Sequence, residues 1–207
     1  MATALDSAAP VTEGVDPFRG RLLAGLATSI GERGYRDTTV ADIVRHARTS
    51  KRTFYSQFTS KEECFIELLR TNNTELIAQI RAAVDPEASW QDQIRQAVGA
   101  YVHHIEARPA ITLSWIRELP ALGEAVRPVQ RSVIQHLTDL LVDLSDSPGF
   151  RGAQLPPVSR PLAVILLGGL RELTALIVED GRDVRGIVDP AVTASMALLG
   201  HQRSSRE

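Results

Sequence analysis

Cysteine, lysine and aromatic side chains are all scarce in this chain of 207 residues. A single cysteine, Cys64, excludes an internal disulfide and fits a reducing compartment. Aromatics are 5% of the residues, which speaks against an aromatic-rich binding pocket. The longest uninterrupted apolar run, Leu162 to Leu170, is too short to span a bilayer. The first 16 residues lack a basic start and an apolar stretch, so they do not read as a signal peptide; residues 1–16 read as a disordered tail. No alternating strand pattern and no internal repeat is present. No G-x-S-x-G, H-E-x-x-H or phosphate-loop sequence occurs either, which argues against an enzyme. His103 and His104 are adjacent and point apart on a helix, and His46, His136 and His201 are scattered, so no metal site is expected. The expectation is a cytoplasmic protein with no cofactor, no metal and no membrane partner.

What is present is uneven. The formal net charge is −2, yet residues 19–61 carry nine Lys or Arg against three Asp or Glu, which leaves the remainder acidic. A basic head on an acidic body is the asymmetry that orients a protein on DNA. Only two of the 23 basic residues are lysines, Lys51 and Lys61, and they bracket one short segment.

That segment lies within Thr39 to Lys61. Thr39 with Asp42 forms a capping box, which opens a helix whose inner side is Ile43, Val44 and Ala47. A turn at Ala47-Arg48-Thr49 follows. Thr49 or Ser50 then caps a second helix from Lys51 to about Gln57. Phe54 and Phe58, four apart, should point inward. Lys51, Arg52, Thr53, Tyr55, Ser56 and Gln57 are left on the other faces. Ser60 with Glu63 reads as a second capping box. Two short helices with a polar, basic second member make a helix-turn-helix pattern, in which Lys and Arg reach guanine edges or phosphates and Tyr donates to a phosphate.

The run T-x-x-D-I-x-x-x-A-x-x-S-x-x-T-F-Y-x-x-F-x-S-K-E resembles the DNA-binding signature of the tetracycline-repressor family of bacterial transcription regulators. The resemblance covers roughly residues 18 to 69. It implies a homodimer on a double-stranded DNA operator, an N-terminal reading domain, and a helical C-terminal domain for dimerisation and a small-molecule effector. It assigns DNA contacts to Thr39, Arg48, Thr49, Ser50, Lys51, Arg52, Thr53, Tyr55, Ser56, Gln57 and Lys61. The family usually has Gly in the turn where this chain has Arg48, which either relaxes the turn or reaches a phosphate.

Around this segment the 3.6-residue period recurs throughout, giving an all-α protein of about nine helices. Asp16-Pro17 starts the first helix and Gly34 ends it. Residues 17–60 are the helix-turn-helix domain and 61–207 the regulatory and dimerisation domain. Residues 145–160, rich in Pro, Gly and Ser, read as a loop. Pro161 to about Glu179 is the most apolar helix, and Asp189-Pro190 caps the last one. The resemblance places an effector near Tyr101, His104, Trp115, Leu119, Leu137, Leu170, Arg171 and Thr174. It places a dimer seam on the last two long helices, through Leu162, Ile165, Leu166, Gly169, Leu173 and Ile177. Gly168-Gly169 implies a close approach, to a partner or to a ligand. The leading reading is a repressor that binds an inverted repeat and is released by a small molecule. Two others stay open: a DNA-binding regulator with no ligand, and a helical carrier or enzyme with a vestigial head.

Overall fold

The computed structural model describes residues 17–200. The expectations for residues 1–16 and for His201 fall outside them. Ten α-helices and three short 3-10 turns make up the described residues, with no strand. They are α1 (Pro17–Asp37), α2 (Val40–His46), α3 (Lys51–Gln57), α4 (Lys61–Ala83), α5 (Trp90–Ala107), α6 (Pro109–Arg117), α7 (Arg127–Ser145), α8 (Pro148–Gly152), α9 (Arg160–Glu179) and α10 (Val188–Gly200). The helix that raises the count above nine is α8, a single turn inside the stretch read as a loop; its Phe150 is buried against Trp90.

Caps set most of the helix starts. Thr39 and Asp42 form the complete capping box of α2. Ser50, not Thr49, caps α3 by accepting from Thr53 N–H. Ser60 caps α4, but the Glu63 carboxylate reaches one residue further back than expected, accepting from the backbone N–H and hydroxyl of Thr59, both at 2.6 Å. The last helix departs from expectation: α10 begins at Val188 as the continuation of a 3-10 turn whose own cap is Asp183. Hydrogen bonds from Thr39, Thr59 and Ser89 hold the carboxyls of Asp42, Glu63 and Asp92, respectively, below the usual carboxylate range. Depressed folded values add stability above an unfolded pKa of about 4, and that stability is lost as pH falls through the folded values. Thermal melts should therefore drop from about pH 5 to about pH 3. Thr39→Val should flatten that drop, and an unchanged slope in the variant would show that the α2 cap contributes nothing to it.

Two glycines of the head are required by the backbone. Gly34 has φ 78°, which turns the chain at the end of α1. A Cβ on Gly25 would sit 2.6 Å from the Ile43 carbonyl, so α1 and α2 approach as closely as they do only with glycine there.

The head is built on Leu22, Leu26, Ile30, Ile43, Phe54, Phe58 and Phe65, all 1% exposed or less. Ile111, Leu119 and Val126, from the α6 region, complete this core. Head and body therefore share packing, and α4 runs from one into the other. The body packs α5, α8, α9 and α10 around Ile94, Val102, Ile105 and Ile187. Helix α9 corrects one sequence expectation. At 20 residues it is long and apolar enough, by length and composition, to cross a bilayer, because such a span tolerates the Arg171-Glu172 pair that ends the uninterrupted run. In the fold those two charges tie α9 to α6: Arg171 Nη2 donates to the Ile116 carbonyl at 2.8 Å, and Glu172 pairs with Arg117.

Candidate nucleic-acid interface and interior cavity

The polar side of α3 is held out from the head by fixed supports. Phe54 and Phe58 anchor it in the core. Arg19 of α1 donates to the Gln57 carbonyl at 3.0 Å, lies over the Phe58 ring and pairs with Glu67 of α4, which clamps the end of α3. Lys51, Arg52, Tyr55 and Ser56 are exposed, and Thr53 and Gln57 partly so. Tyr55 is 58% exposed, which no packing role demands. Ser50 and Thr53 bond to each other's side chains at 3.0 Å, and the Ser56 hydroxyl returns to the Thr53 carbonyl.

Six cations of the head fall into two groups. Arg33 and Arg45 pair with Asp42, and Arg36 with Glu118. Arg48, Lys51 and Arg52 are exposed and cluster at the turn and the first turn of α3; their side chains pair with no group of the described residues. Arg48 keeps the left-handed conformation, φ 50°, so it does not relax the turn. That conformation disfavours any side chain with a Cβ.

Lys61 belongs to neither group. Its ammonium donates to the carbonyls of Tyr35 (3.1 Å), Arg36 (3.5 Å) and Thr38 (2.9 Å) and lies 4.4 Å from the Tyr35 ring centre. All three of its donors face the end of α1, so the role expected of it as a phosphate contact yields to that of a clamp. Thr39 likewise spends its hydroxyl on Asp42. Cys64 is buried, and burial above all pushes its thiol up to about 12, which makes it a packing residue. The neighbouring carboxylates add to that effect, and Arg19 opposes it.

The body encloses a cavity of about 470 Å³, within the range of small-molecule sites. Its walls come from α4 (Ile80), α5 (Ile94, Val98, Tyr101), α7 (Leu137, Leu141, Leu144), α9 (Leu166, Leu170, Leu173) and α10 (Ala194, Leu198). Of the residues expected at an effector site, Tyr101, Leu137 and Leu170 line it. His104, Trp115 and Arg171 line a smaller neighbouring cavity instead. Thr174 is fully buried behind the wall, where its hydroxyl meets the Tyr101 hydroxyl at 2.8 Å. Leu119 is part of the head's core and lines neither cavity. The α7 and α10 walls carry one serine each, Ser145 and Ser195, and are otherwise apolar, so only their apolar stripes are legible in the sequence.

The last two long helices have an unpartnered face, rotated from the one expected. Leu162, Leu166 and Leu173 pack on the body core and Ile177 is buried. Val164, Ile165, Gly168, Gly169, Glu172 and Leu176 form the exposed stripe of α9, and Leu198 extends it on α10. Val164 is 47% exposed, Ile165 62%, Leu176 46% and Leu198 41%. Nothing lies within 4 Å of a Cβ placed on Gly168 or Gly169, so these glycines have no packing reason within the chain. Ile165, Gly169, Ala194 and Leu198 belong to both the exposed face and the cavity wall, which brings the cavity to the surface between α9 and α10.

Residues 22–68 match the family model described as bacterial regulatory proteins, tetR family. The chain is 34% identical over 113 residues to the HTH-type transcriptional repressor KstR2 of Mycobacterium tuberculosis, across 55% of this chain and 56% of that protein. It is 23% identical over 155 residues to the HTH-type transcriptional regulator YhgD of Bacillus subtilis, across 72% and 78%. Its fold is similar to that of FadR from Bacillus subtilis in complex with stearoyl-CoA, with TM-score 0.71 and 15% identity over 84% of this chain and 95% of that one. The head, residues 22–68, is thus similar to the DNA-binding head of the tetR family of bacterial regulatory proteins, the relatives are transcriptional regulators, and the described residues share the fold of a solved regulator.

Proposed function

We propose that the protein is a homodimeric repressor of the cytoplasm. It binds an inverted-repeat operator through α3 of each copy and releases it when a small molecule with a long acyl chain enters the body. The observation that carries this reading is the cavity of about 470 Å³, walled almost wholly by hydrocarbon, in a chain whose head offers three uncommitted cations. A hydrocarbon chain fills such a space at the least desolvation cost. The complex of FadR with stearoyl-CoA is a precedent for that ligand class in this fold. A DNA-binding regulator with no effector has no use for the cavity.

Helix α6 supports a route from cavity to head. On one side Arg117 pairs with Glu172 and Glu179 of α9, with four bonds between 2.6 and 3.0 Å. On the other, Ile111 and Leu119 are buried in the head's core and Glu118 bonds Arg36 of α1. Displacement of α9 by an occupant moves α6, and α6 tilts α1 and with it α3. Arg117→Ala should leave effector affinity within a few-fold of wild type and reduce operator release by at least about tenfold, a coupling loss of the usual size. Equal release by variant and wild type in a mobility-shift titration would remove α6 from the route.

Operator reading should divide between the faces of α3. Tyr55→Phe should weaken all sequences about equally, because a phosphate contact carries no base information. Arg52→Ala should change the preferred sequence instead, by about 1–3 kcal/mol at one base pair. Selection from a random DNA pool checks both. The same pool tests the whole reading: an inverted repeat should emerge, and long-chain acyl compounds should release it. Failure of the dimer to retard any DNA at low salt would favour a carrier or enzyme with a vestigial head.

A further inference from the structure

Against the large cavity lies a small one, of about 70 Å³, with different chemistry. Tyr101, Leu137, Leu167 and Leu170 line both, so the two share a wall. Beyond that wall the small cavity meets Asn72, Asn73, His104 and Arg171. Three of these four carry a buried side-chain atom with no hydrogen-bond partner: Asn72 Oδ1, His104 Nε2 and Arg171 Nε. Buried polar atoms are nearly always paired, and three around one cavity call for a partner from outside the chain.

The three atoms have compatible demands. His104 is 6% exposed, its Nδ1 is 2.9 Å from Gln79 Oε1, and burial holds the imidazole below its usual range. Nε2 is left over in either tautomer. Arg171 spends Nη2 on the Ile116 carbonyl, while the adjacent Glu172 turns to Arg117, so this guanidinium borders the interior with no carboxylate of its own. The Asn72 amide presents a donor on rotation, and His104 Nε2 presents one when the Gln79 amide rotates to donate to Nδ1.

We infer that the small cavity is the head-group subsite of the effector. It takes a carboxylate-sized anionic head at Arg171, and the attached chain crosses the shared wall of Tyr101, Leu137, Leu167 and Leu170 into the large cavity. The inference rests on the acyl-effector reading and narrows it. A space of about 70 Å³ has no room for the nucleotide of a coenzyme A thioester, so the subsite selects the free long-chain acid.

The test is a binding titration of the full chain with three sixteen-carbon probes: the fatty acid, the primary alcohol and the coenzyme A thioester. The acid should bind at least tenfold more tightly than the other two. Arg171→Gln should lose tenfold or more for the acid and less than twofold for the alcohol. Asn72→Leu, which leaves the α6–α9 bond of Arg171 intact, should also lose affinity for the acid selectively. Ala97→Trp, which fills the large cavity, should lose all three probes. Equal binding of acid and alcohol by wild type, with Ala97→Trp still abolishing both, would overturn the subsite and leave it a water pocket. Tightest binding of the thioester, unaffected by Arg171→Gln, would overturn it too. No binding of any probe to wild type would overturn the acyl-effector reading itself.

Discussion

Operator affinity should fall about a thousandfold between 50 and 200 mM salt. Each phosphate neutralised contributes about 0.9 to the slope of log K against log salt. Arg48, Lys51 and Arg52 are the exposed cations at α3 that no protein group engages, three per head and six per dimer. The slope is therefore about −5, and Lys51→Gln, which removes one contact from each head, should reduce it by about 2. Lys61→Gln should act otherwise. It deletes hydrogen bonds to three carbonyls at the end of α1, so it should cost about 1–3 kcal/mol of stability while leaving the salt slope near that of wild type. Titrations at five salt concentrations, with melts of both variants, separate the two roles. A slope near zero for wild type would refute the basic-head argument. A drop of about 2 for Lys61→Gln would return that lysine to the phosphate contacts.

Leu176→Asp should convert the protein to a monomer and lower operator affinity by at least about a thousandfold. Leu176 lies on the exposed α9 stripe, is 46% exposed and lines neither cavity, so the substitution spares both the monomer's core and the effector site. Burying one such side chain contributes about 1.5–3 kcal/mol. A two-fold interface loses that contribution twice and gains two desolvated carboxylates, which repel if they face each other. DNA affinity follows dimerisation because one head alone has half of the six cations. Gly169→Leu should act in the same direction by holding the two backbones apart, since the space above this glycine is open within one chain. Sedimentation of wild type and both variants decides the point. A wild type that is monomeric at micromolar concentration would remove this face as an interface. So would a Leu176→Asp protein that stays dimeric.

The head was legible in the amino-acid order because its signals are local. A capping box is two residues three apart, and a recognition helix shows as polar residues where a core stripe would otherwise run. Thr39 with Asp42, Ser50, Phe54 and Phe58 all fold as that local grammar requires. The break within α1 at Gly34 and the helix boundary at Arg108-Pro109 follow from the same kind of short-range rule.

The roles of single side chains in the body were not legible, because they depend on rotation and on partners distant in sequence. A helix as apolar as α9 gives no sign of which stripe faces inward; packing on α5, α7 and α10 turned Leu162, Leu166, Leu173 and Ile177 in and left Val164, Ile165 and Leu176 out. Lys61 opens its helix in the sequence, but its ammonium reaches carbonyls 23 to 26 residues earlier in the chain. Arg171 and His104 lie on helices far apart in sequence and meet at one small cavity only when α5 and α9 pack together. Fold class, the DNA-facing helix and the charge asymmetry thus follow from neighbours along the chain. The cavity, the exposed seam and the partners of each charge come from neighbours in space, which only the packed helices bring together.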